Sequence, residues 1–448
     1  MKHIFLITFL LLALATGSYA QQDTAAKKYS LSVAECVSYA YQHQHDVVNA
    51  NLDVTSAEYH VKEIIGQGYP QLSGAASFID YLKIPVTLIP GEFFGQPGTF
   101  VPLKFGVTYQ SSAGLTLNQL IFDPSYIVGL QGRKTYKQLY ERSYTRSKIE
   151  ANVSVTKAYY QVLVSAEQLK LLDANLKELK QQLDETGARN KQGFVEKIDV
   201  DRATVQYNSL KTTRENTVRL LALNYQLLKF QMGMPIDNEL VLTDNLENIK
   251  LDASAADPQN DTSVYHNRIE YNLLETQKQL DLYDIKLKKG SFLPKLTGVA
   301  NYSASFQNNS FGQLYSNNFP SAYVGLNLSL PIFTGWQHKN QLKQSQINLF
   351  KVQNDMDEEK KYINLQISEA RTSYINGLQT LNDQRNTMSL ANEVLRVAKI
   401  KYEQGVGSSI EVTQAETDVT QADNTYIQGL YDALVSKVDL DQAYGRIQ

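Results

Sequence analysis

The sequence repeats one pattern, a glycine turn followed by an acidic helix start, at a fixed separation. Residues 402–415 read YEQGVGSSIEVTQA and residues 190–203 read NKQGFVEKIDVDRA. Gly405 and Gly193 are 405 − 193 = 212 positions apart. An internal repeat of this size constrains the architecture before any single residue is interpreted. Each turn separates two long helical patterns, so each copy predicts a helical hairpin.

The elements around these turns occur in the same order in both halves: helix, strand, loop, strand, long helix, tight turn, returning helix. Predicted helices cover 31–66, 123–186, 194–232, 262–289, 335–403 and 409–445, and predicted strands cover 71–81, 105–122, 294–307 and 323–332. We therefore divide the chain into a signal peptide (1–20), a first repeat (21–235), a linker (236–261) and a second repeat (262–448). The proline-rich stretch 83–104 is expected to be a long irregular loop.

The first residues have the pattern of a secretory signal peptide. A charged start is followed by an apolar run from 4 to 15, and small residues precede the expected cleavage after Ala20. No later run of 18 apolar residues occurs, so no transmembrane helix is expected. The only cysteine, Cys36, excludes an internal disulfide and is expected to be a small buried residue. A net charge of −3 gives no reason to expect nucleic acid as a partner.

The long helices carry a heptad spacing. In the last helix the small and apolar positions alternate in steps of three and four: Val412, Ala415, Val419, Ala422, Tyr426, Gly429, Ala433, Ser436 and Leu440. This spacing predicts knobs-into-holes contacts with neighbouring helices. A second stripe beside it indicates neighbours on both sides. A ring of helices and a soluble helical bundle both fit the helices alone.

The four strands favour a membrane location. Each has about ten residues, apolar on one face and polar on the other, as in membrane barrel strands. Four strands are too few to close a barrel, and an open edge in lipid would leave backbone groups unpaired. We therefore expect three copies to supply 3 × 4 = 12 strands, together with a ring of helices. The alternative is a small sheet packed on a soluble domain.

With its duplicated G-x-x-x-x-I-[DE]-V-x-x-A turns, paired P-x-L-x-G strand starts and signal peptide, the chain resembles the TolC-like outer membrane efflux proteins, or outer membrane factors. The resemblance implies a mainly α fold with a membrane β-barrel: a homotrimer with a 12-stranded barrel in the outer membrane of a Gram-negative bacterium and a long helical barrel in the periplasm. It also implies a mixed equatorial region part-way along the helical barrel, to which the linker 236–261 would belong. It implies a passive exit duct of a tripartite efflux pump or type I secretion system. The implied partners are outer-membrane lipid, a periplasmic adaptor (membrane fusion) protein and an inner-membrane transporter such as an RND or ABC pump.

The resemblance also suggests pore residues. Glu411 lies at a position where the family places an acidic ring, Asp199 takes the corresponding place in the first repeat, and Gln414 replaces a second acid. Tyr402 matches a tyrosine that joins neighbouring helices, whereas Gly407 replaces a family arginine. The alternative for Glu411 is an exposed acid that the helix dipole stabilises.

The tips of the two hairpins are expected to contact the adaptor. The candidate residues are Gly193, Phe194, Val195, Gly405 and Val406. Glycine supplies the backbone bend and the exposed apolar side chains supply a docking surface. The alternative is an ordinary helical turn that needs glycine in any case.

No residues suggest bond-making chemistry, so the chain is not expected to be an enzyme and no cofactor is implied. His43 and His45 are the only close histidine pair, and residues two positions apart do not share a helix face. Metal binding is therefore not expected. A soluble periplasmic coiled-coil protein, with a structural or adaptor role, is the alternative function.

Overall fold

A computed structural model describes residues 28–246, 249, 251, 252, 254 and 264–447. The predicted signal peptide and much of the linker lie outside the described residues. The helices are α1 Val33–His43, α2 His45–Gly66, α3 Pro124–Lys191, α4 Lys197–Met232, α5 Val264–Asn267, α6 Ile269–Gly290, α7 Gln337–Glu403 and α8 Ser409–Ala443. The strands are β1 Lys28–Leu31, β2 Gln71–Asp80, β3 Val86–Pro90, β4 Phe100–Lys104, β5 Tyr109–Phe122, β6 Glu239–Leu242, β7 Lys295–Asn308 and β8 Asn318–Ser329.

The two longest helices begin within two residues of the predicted positions, and α7 ends at Glu403 as predicted, but α3 continues to Lys191, five residues beyond its predicted end. Helix α3 has 68 residues and α7 has 67, and each is followed by a tight turn and a returning helix of 36 or 35 residues. Asp123 caps α3, because its Oδ1 accepts hydrogen bonds from the backbone N of Ser125 at 2.9 Å and of Tyr126 at 3.2 Å. The heptad seam of α8 is buried at Val412, Ala415 and Val419, as expected.

The first predicted helix of each repeat is interrupted. The expected helix 31–66 is broken at Gln44, whose backbone is extended, and the expected helix 262–289 is broken at Arg268. A distant glycine lies against each break. An added Cβ on Gly233 would come within 2.6 Å of the His43 carbonyl carbon, and one on Gly445 within 2.7 Å of the Asn267 oxygen. The prediction of continuous helices was wrong because these breaks depend on contacts that are remote in sequence.

Two short strands were missing from the sequence prediction. Strands β1 and β6 pair in parallel, with Lys28 opposite Glu239 and Leu31 opposite Leu242. Both have four residues, too few for a period-two pattern to be recognised. This pair joins the start of the described chain to the region that follows α4.

The main sheet has the strand order β2-β5-β7-β8, and every neighbouring pair is antiparallel. One row across the sheet is apolar: Leu72, Leu117, Ala300 and Val324. The next row is Ser73, Thr116, Asn301 and Tyr323, in which Asn301 donates to Thr116 at 2.8 Å. Val324 is 86% exposed and Leu326 is 73% exposed. The sheet therefore has a polar face and an apolar face that is largely uncovered in the described chain.

The stretch between β2 and β5 is more ordered than expected. The predicted irregular loop 83–104 contains an antiparallel hairpin, β3 with β4, in which Val86 lies opposite Lys104. The prolines did not exclude a strand because Pro90 and Pro102 belong to an isolated two-stranded sheet, where backbone N–H groups on the outer side need no ladder partner.

The chain forms two compact units, each containing parts of both repeats. One comprises 28–44, 154–252 and 378–435, and the other comprises 45–153, 253–377 and 436–447, within the described residues.

The first unit has a core around Cys36, Val155, Tyr159 and Leu228. Burial raises the pKa of the Cys36 thiol to about 12, so it acts as a small apolar residue. The second has a core around Val264, Tyr271 and Ile363. The boundaries of the sequence repeats remain a prediction.

Candidate functional site at the hairpin tips

The two tip turns, residues 189–196 and 401–408, have the same backbone structure. The N of Gly193 donates to the carbonyl of Asn190 at 2.9 Å, and the N of Gly405 donates to that of Tyr402 at 3.1 Å. The backbone N of Phe194 donates to the carbonyl of Arg189, and that of Val406 donates to the carbonyl of Lys401, each at 3.0 Å. Both glycines have positive φ, 81° and 73°, as expected for a residue that ends a helix in the left-handed region. The sequence repeat is therefore also a repeat of hydrogen bonds.

The tips present apolar side chains to solvent. Phe194 is 77% exposed and Val406 is 80% exposed, whereas Val195 is half-buried. The Val195 carbonyl accepts a hydrogen bond from the Asn190 side chain at 2.8 Å, which ties the turn to the end of α3. An added Cβ at Gly193 or Gly405 would meet nothing within 4 Å. The five predicted tip residues thus lie at two open turns, and contact with an adaptor stays a prediction.

Two of the predicted pore residues lie in a polar contact between the hairpins. Asp199, in the first turn of α4, accepts a hydrogen bond from the hydroxyl of Ser409, the first residue of α8. The Asp199 side chain is only 17% exposed, and the Arg202 guanidinium lies 3.6 Å from it. The carboxylate therefore joins the starts of the two returning helices within one chain.

Tyr402 faces the same contact from the end of α7. The Arg189 guanidinium lies 6.0 Å from the centre of its ring, within the range of a cation–π interaction. Burial raises the pKa of Tyr402, the Asp199 carboxylate adds to this, and Arg189 opposes it. The family arginine is missing at Gly407, but Arg189 of the first hairpin brings a guanidinium to the tyrosine from another direction.

The other two predicted pore residues, Glu411 and Gln414, are exposed. The backbone N of Glu411 donates to the Ser408 hydroxyl at 3.2 Å, and the Gln414 amide donates to the Asp418 carboxylate at 2.8 Å. These hydrogen bonds stay within the first turns of α8. A role of either side chain in a constriction remains a prediction.

Gly407 packs closely on the end of α7. An added Cβ would lie 2.9 Å from the Lys401 Cβ and 3.0 Å from the Tyr402 backbone N. A side chain at this position would push the turn away from the helix. The glycine that replaces the family arginine is thus required by close packing.

Behind the turns, α3, α4, α7 and α8 enclose a buried acid that the sequence interpretation missed. Glu416 is 8% exposed. Burial raises the pKa of Glu416 to about 7. Lys399 and the amides of Gln182 and Gln206 act to lower this pKa, whereas the Glu178 carboxylate raises it further. Lys399 also donates to Glu178 at 3.1 Å. The tips therefore contain a carboxyl group that changes charge near neutral pH.

A polar groove of about 340 Å³ lies between the ends of α3 and α7. Acidic side chains in its lining are Glu178, Glu185 and Glu403, and basic ones are Arg189 and Lys399. The groove is therefore lined by charges of both signs.

The residues that the sequence interpretation missed at the tips are Arg189, Ser409 and Glu416. Only Glu416 had a recognisable local signal: with Val412, Val419 and Asp423 it forms a stripe in steps of four, three and four, so an acid recurs on a face of α8 that is otherwise apolar. Arg189 and Ser409 act through partners more than 200 positions away, and no local pattern indicates such a pair.

No metal site is found in the described part of the chain, where no three His, Cys, Asp or Glu side chains are grouped to hold an ion. His43 stacks on the Tyr39 ring with 4.0 Å between ring centres, and its Nδ1 lies 2.9 Å from the Tyr39 carbonyl oxygen. Among the described helices, none is long and apolar enough to cross a membrane.

Known proteins resemble this chain over most of its length. A sequence profile of the outer membrane efflux protein family matches residues 36–227 and 272–446. The outer membrane protein TolC of Escherichia coli K12 is 24% identical over 350 residues, which cover 75% of this chain and 70% of TolC. The probable efflux pump outer membrane protein TtgC of Pseudomonas putida KT2440 is 23% identical over 407 residues, covering 89% and 79% of the two chains.

Solved structures share the fold. The CusC structure superposes with a TM-score of 0.74 at 15% identity, covering 96% of this chain and 95% of that chain. The outer membrane protein VceC of Vibrio cholerae superposes with a TM-score of 0.70 at 14% identity, covering 92% and 96%. The predicted fold class, a mainly helical TolC-like chain with four barrel strands, is confirmed. The chain belongs to the outer membrane efflux protein family, and is an outer-membrane exit duct for efflux.

Proposed function

We propose that the chain works as a homotrimer whose three sheets close into a 12-stranded barrel in the outer membrane, and whose long hairpins form a tunnel in the periplasm. Export through it is passive. A periplasmic adaptor protein opens the hairpin tips, and an inner-membrane transporter such as an RND or ABC pump delivers the substrate. A type I secretion system would use the same parts.

The main sheet is the observation that carries this proposal. Its order places β2 and β8 at the two edges, and its apolar face exposes Val324, Leu326 and Leu328 at 86%, 73% and 66%. Lipid would cover that face. Unpaired edge groups cost several kcal/mol each in lipid, so pairing of β8 with β2 of the next copy removes a large penalty. The polar face, with its serine and threonine hydroxyls, would line water.

The helices support the periplasmic part. At 1.5 Å per residue, α3 and α7 are each about 100 Å long. Exposed apolar side chains continue along α4, as in Leu220 and Leu223, which are both 57% exposed. These would pack against neighbouring copies in a ring of helices.

The tips are the proposed moving part. Phe194 and Val406, with Gly193, Val195 and Gly405, form the adaptor contact, and the polar groove beside them accepts adaptor side chains. Glu411, Gln414, Asp199 and Tyr402 form the constriction. In this arrangement Asp199 and Tyr402 hold the hairpins together, and Glu411 supplies the charge that selects ions.

The test is fractionation followed by reconstitution. The expressed protein should separate with outer membranes, require detergent, run as a trimer in detergent, and form ion-conducting channels in planar bilayers. The alternative, a soluble periplasmic coiled-coil protein, predicts release by osmotic shock and no channels. Release without detergent would contradict the duct.

A further inference from the structure

Glu416 lies in the packed core of the hairpin tips and has no role in the function proposed above. It is in the second turn of α8, between the buried residues Ala415 and Val419. Its Oε2 is buried and has no hydrogen-bond partner among the described residues. Buried carboxylates are normally paired, because an unpaired charge in a protein interior is costly. An acid in this state needs an explanation beyond packing.

Each of the other three helices at the tips presents polar groups to this carboxyl. Helix α3 contributes the Glu178 carboxylate and the Gln182 amide, α4 contributes the Gln206 amide, and α7 contributes the Lys399 ammonium. Lys399 already pairs with Glu178 at 3.1 Å. Buried amide oxygens of Gln182 and Gln206 also lack partners among the described residues. A proton on Glu416 supplies a donor to a site rich in unpaired acceptors.

A second buried acid in α8 shows what a satisfied site looks like. Asp423, two turns after Glu416, is 7% exposed, and its carboxylate accepts a hydrogen bond from the Asn175 amide at 2.7 Å. Burial raises the pKa of Asp423, and the Asn175 hydrogen bond opposes this. Glu416 differs because one of its oxygens has no such donor.

The Glu416 site has room for water. A cavity of about 40 Å³ borders Glu416, Gln206 and Lys399. A water molecule needs at least roughly 10–15 Å³, so the cavity has room for protons to enter and leave through one or two waters. No histidine occurs in residues 154–252 or 378–435. The usual group that titrates near neutral pH is therefore absent from both tip sequences.

We propose that Glu416 is a gating residue of the hairpin tips: the neutral carboxyl lets the four helices close around it, and the ionised carboxylate loosens them. The pH-dependent packing of the helices does not depend on the proposed duct, but its interpretation as a gate rests on that function. When the proton leaves, Lys399 and the Gln182 and Gln206 amides favour the carboxylate, but its Oε2 still has no partner among the described residues. To satisfy that oxygen, the carboxylate must either draw Lys399 away from Glu178 or gain water by parting the helices. The gate is thus set by the pH of the periplasm as well as by the adaptor.

The sign follows from the raised pKa. In the open tip, where water reaches the carboxyl, the pKa returns toward its ordinary 4.5, whereas in the closed tip it is about 7. The closed state loses stability as pH rises through this window, and the loss is complete above the higher value. Proton linkage with these values gives about a tenfold shift toward the open state between about pH 6 and pH 8.

Hydrogen exchange of the trimer in detergent tests this directly, because it measures tip packing whether or not the protein conducts. After correction for the intrinsic pH dependence of exchange, peptides from 175–206 and 395–420 should lose about tenfold in protection between about pH 6 and pH 8. Glu416→Gln should keep its protection at both pH values. Glu215→Gln, the same change at an exposed position of α4, should behave as wild type.

A second variant keeps the test decisive if Glu416→Gln does not fold. Lys399→Met removes the cation that favours the charged form, so the pH step should move to higher pH. The proposal is overturned by wild-type protection that does not change with pH, by a step that persists in Glu416→Gln, or by an unmoved step in Lys399→Met. Failure of the duct itself would appear separately, as an absence of channels in bilayers.

Discussion

The hydrogen bond from Ser409 to Asp199 should be a measurable part of what keeps the tips closed. It joins the first turns of α4 and α8, and the Asp199 side chain is 17% exposed, so water competes weakly for the carboxylate. A hydrogen bond to a charged group contributes about 1.5–3 kcal/mol. Since about 1.4 kcal/mol corresponds to a factor of ten, its loss should raise the open-to-closed ratio of a tip by about 10- to 100-fold.

A double-mutant cycle isolates this bond. Ser409→Ala, Asp199→Ala and the double variant would be reconstituted in planar bilayers, and the open fraction of single channels measured at neutral pH. Each single variant should open the channel, and the double variant should open it little further. The coupling energy should be about 1.5–3 kcal/mol per tip.

The neighbouring serine provides the matched control. Ser408 accepts a hydrogen bond from the backbone N of Glu411, a cap that stays within α8. Ser408→Ala should weaken the helix start by about 1 kcal/mol but show no coupling with Asp199→Ala. If the Ser409 cycle gives a coupling below about 0.5 kcal/mol, or the same coupling as the Ser408 cycle, the contact does not hold the tips together.

Three further predictions concern single residues. Glu411→Gln should raise the anion conductance of reconstituted channels, because it removes an exposed acid; unchanged ion selectivity would count against a constriction at this position. Gly405→Trp should abolish drug export with trimer assembly intact. Gly405→Asn should export normally, because asparagine tolerates the positive φ of this position. Normal efflux by the tryptophan variant would exclude the adaptor contact. Gly233→Ala should lower the unfolding temperature more than Gly95→Ala. Both glycines have positive φ, which costs an alanine about 1–2 kcal/mol, but of the two only Gly233 lies against another backbone segment. Equal decreases in unfolding temperature would contradict this.

The long-range order of the fold could be predicted because its signals are local and repeated. Heptad spacing indicates each long helix, and a glycine with positive φ ends it, so the turns at Gly193 and Gly405 were located from sequence alone. The breaks at Gln44 and Arg268 could not be predicted in this way. No glycine or proline occurs at either break, and the residues that lie against them, Gly233 and Gly445, are more than 170 positions away.

The same distinction explains the site. Glu411 and Asp199 are equivalent in the repeat, since 411 − 199 = 212, yet the structure exposes the first and half-buries the second. The reason is the partner: Ser409 donates to Asp199, whereas the equivalent of Ser409 in the first repeat is Lys197. Glu416 is likewise equivalent to Thr204, so only the second repeat carries the buried acid. Sequence symmetry predicts where side chains lie along a helix, but not which partner each one meets.

The two edges of the main sheet, β2 and β8, have a genetic consequence. In the proposed trimer every seam of the barrel joins two different copies, so one defective copy damages a shared structure. With equal expression of a normal and an inactive but assembling variant, only about one trimer in eight would contain three normal copies. Alleles with damaged tips but intact edges should therefore be dominant, whereas alleles that destroy β2 or β8 should be recessive because their products are excluded from assembly.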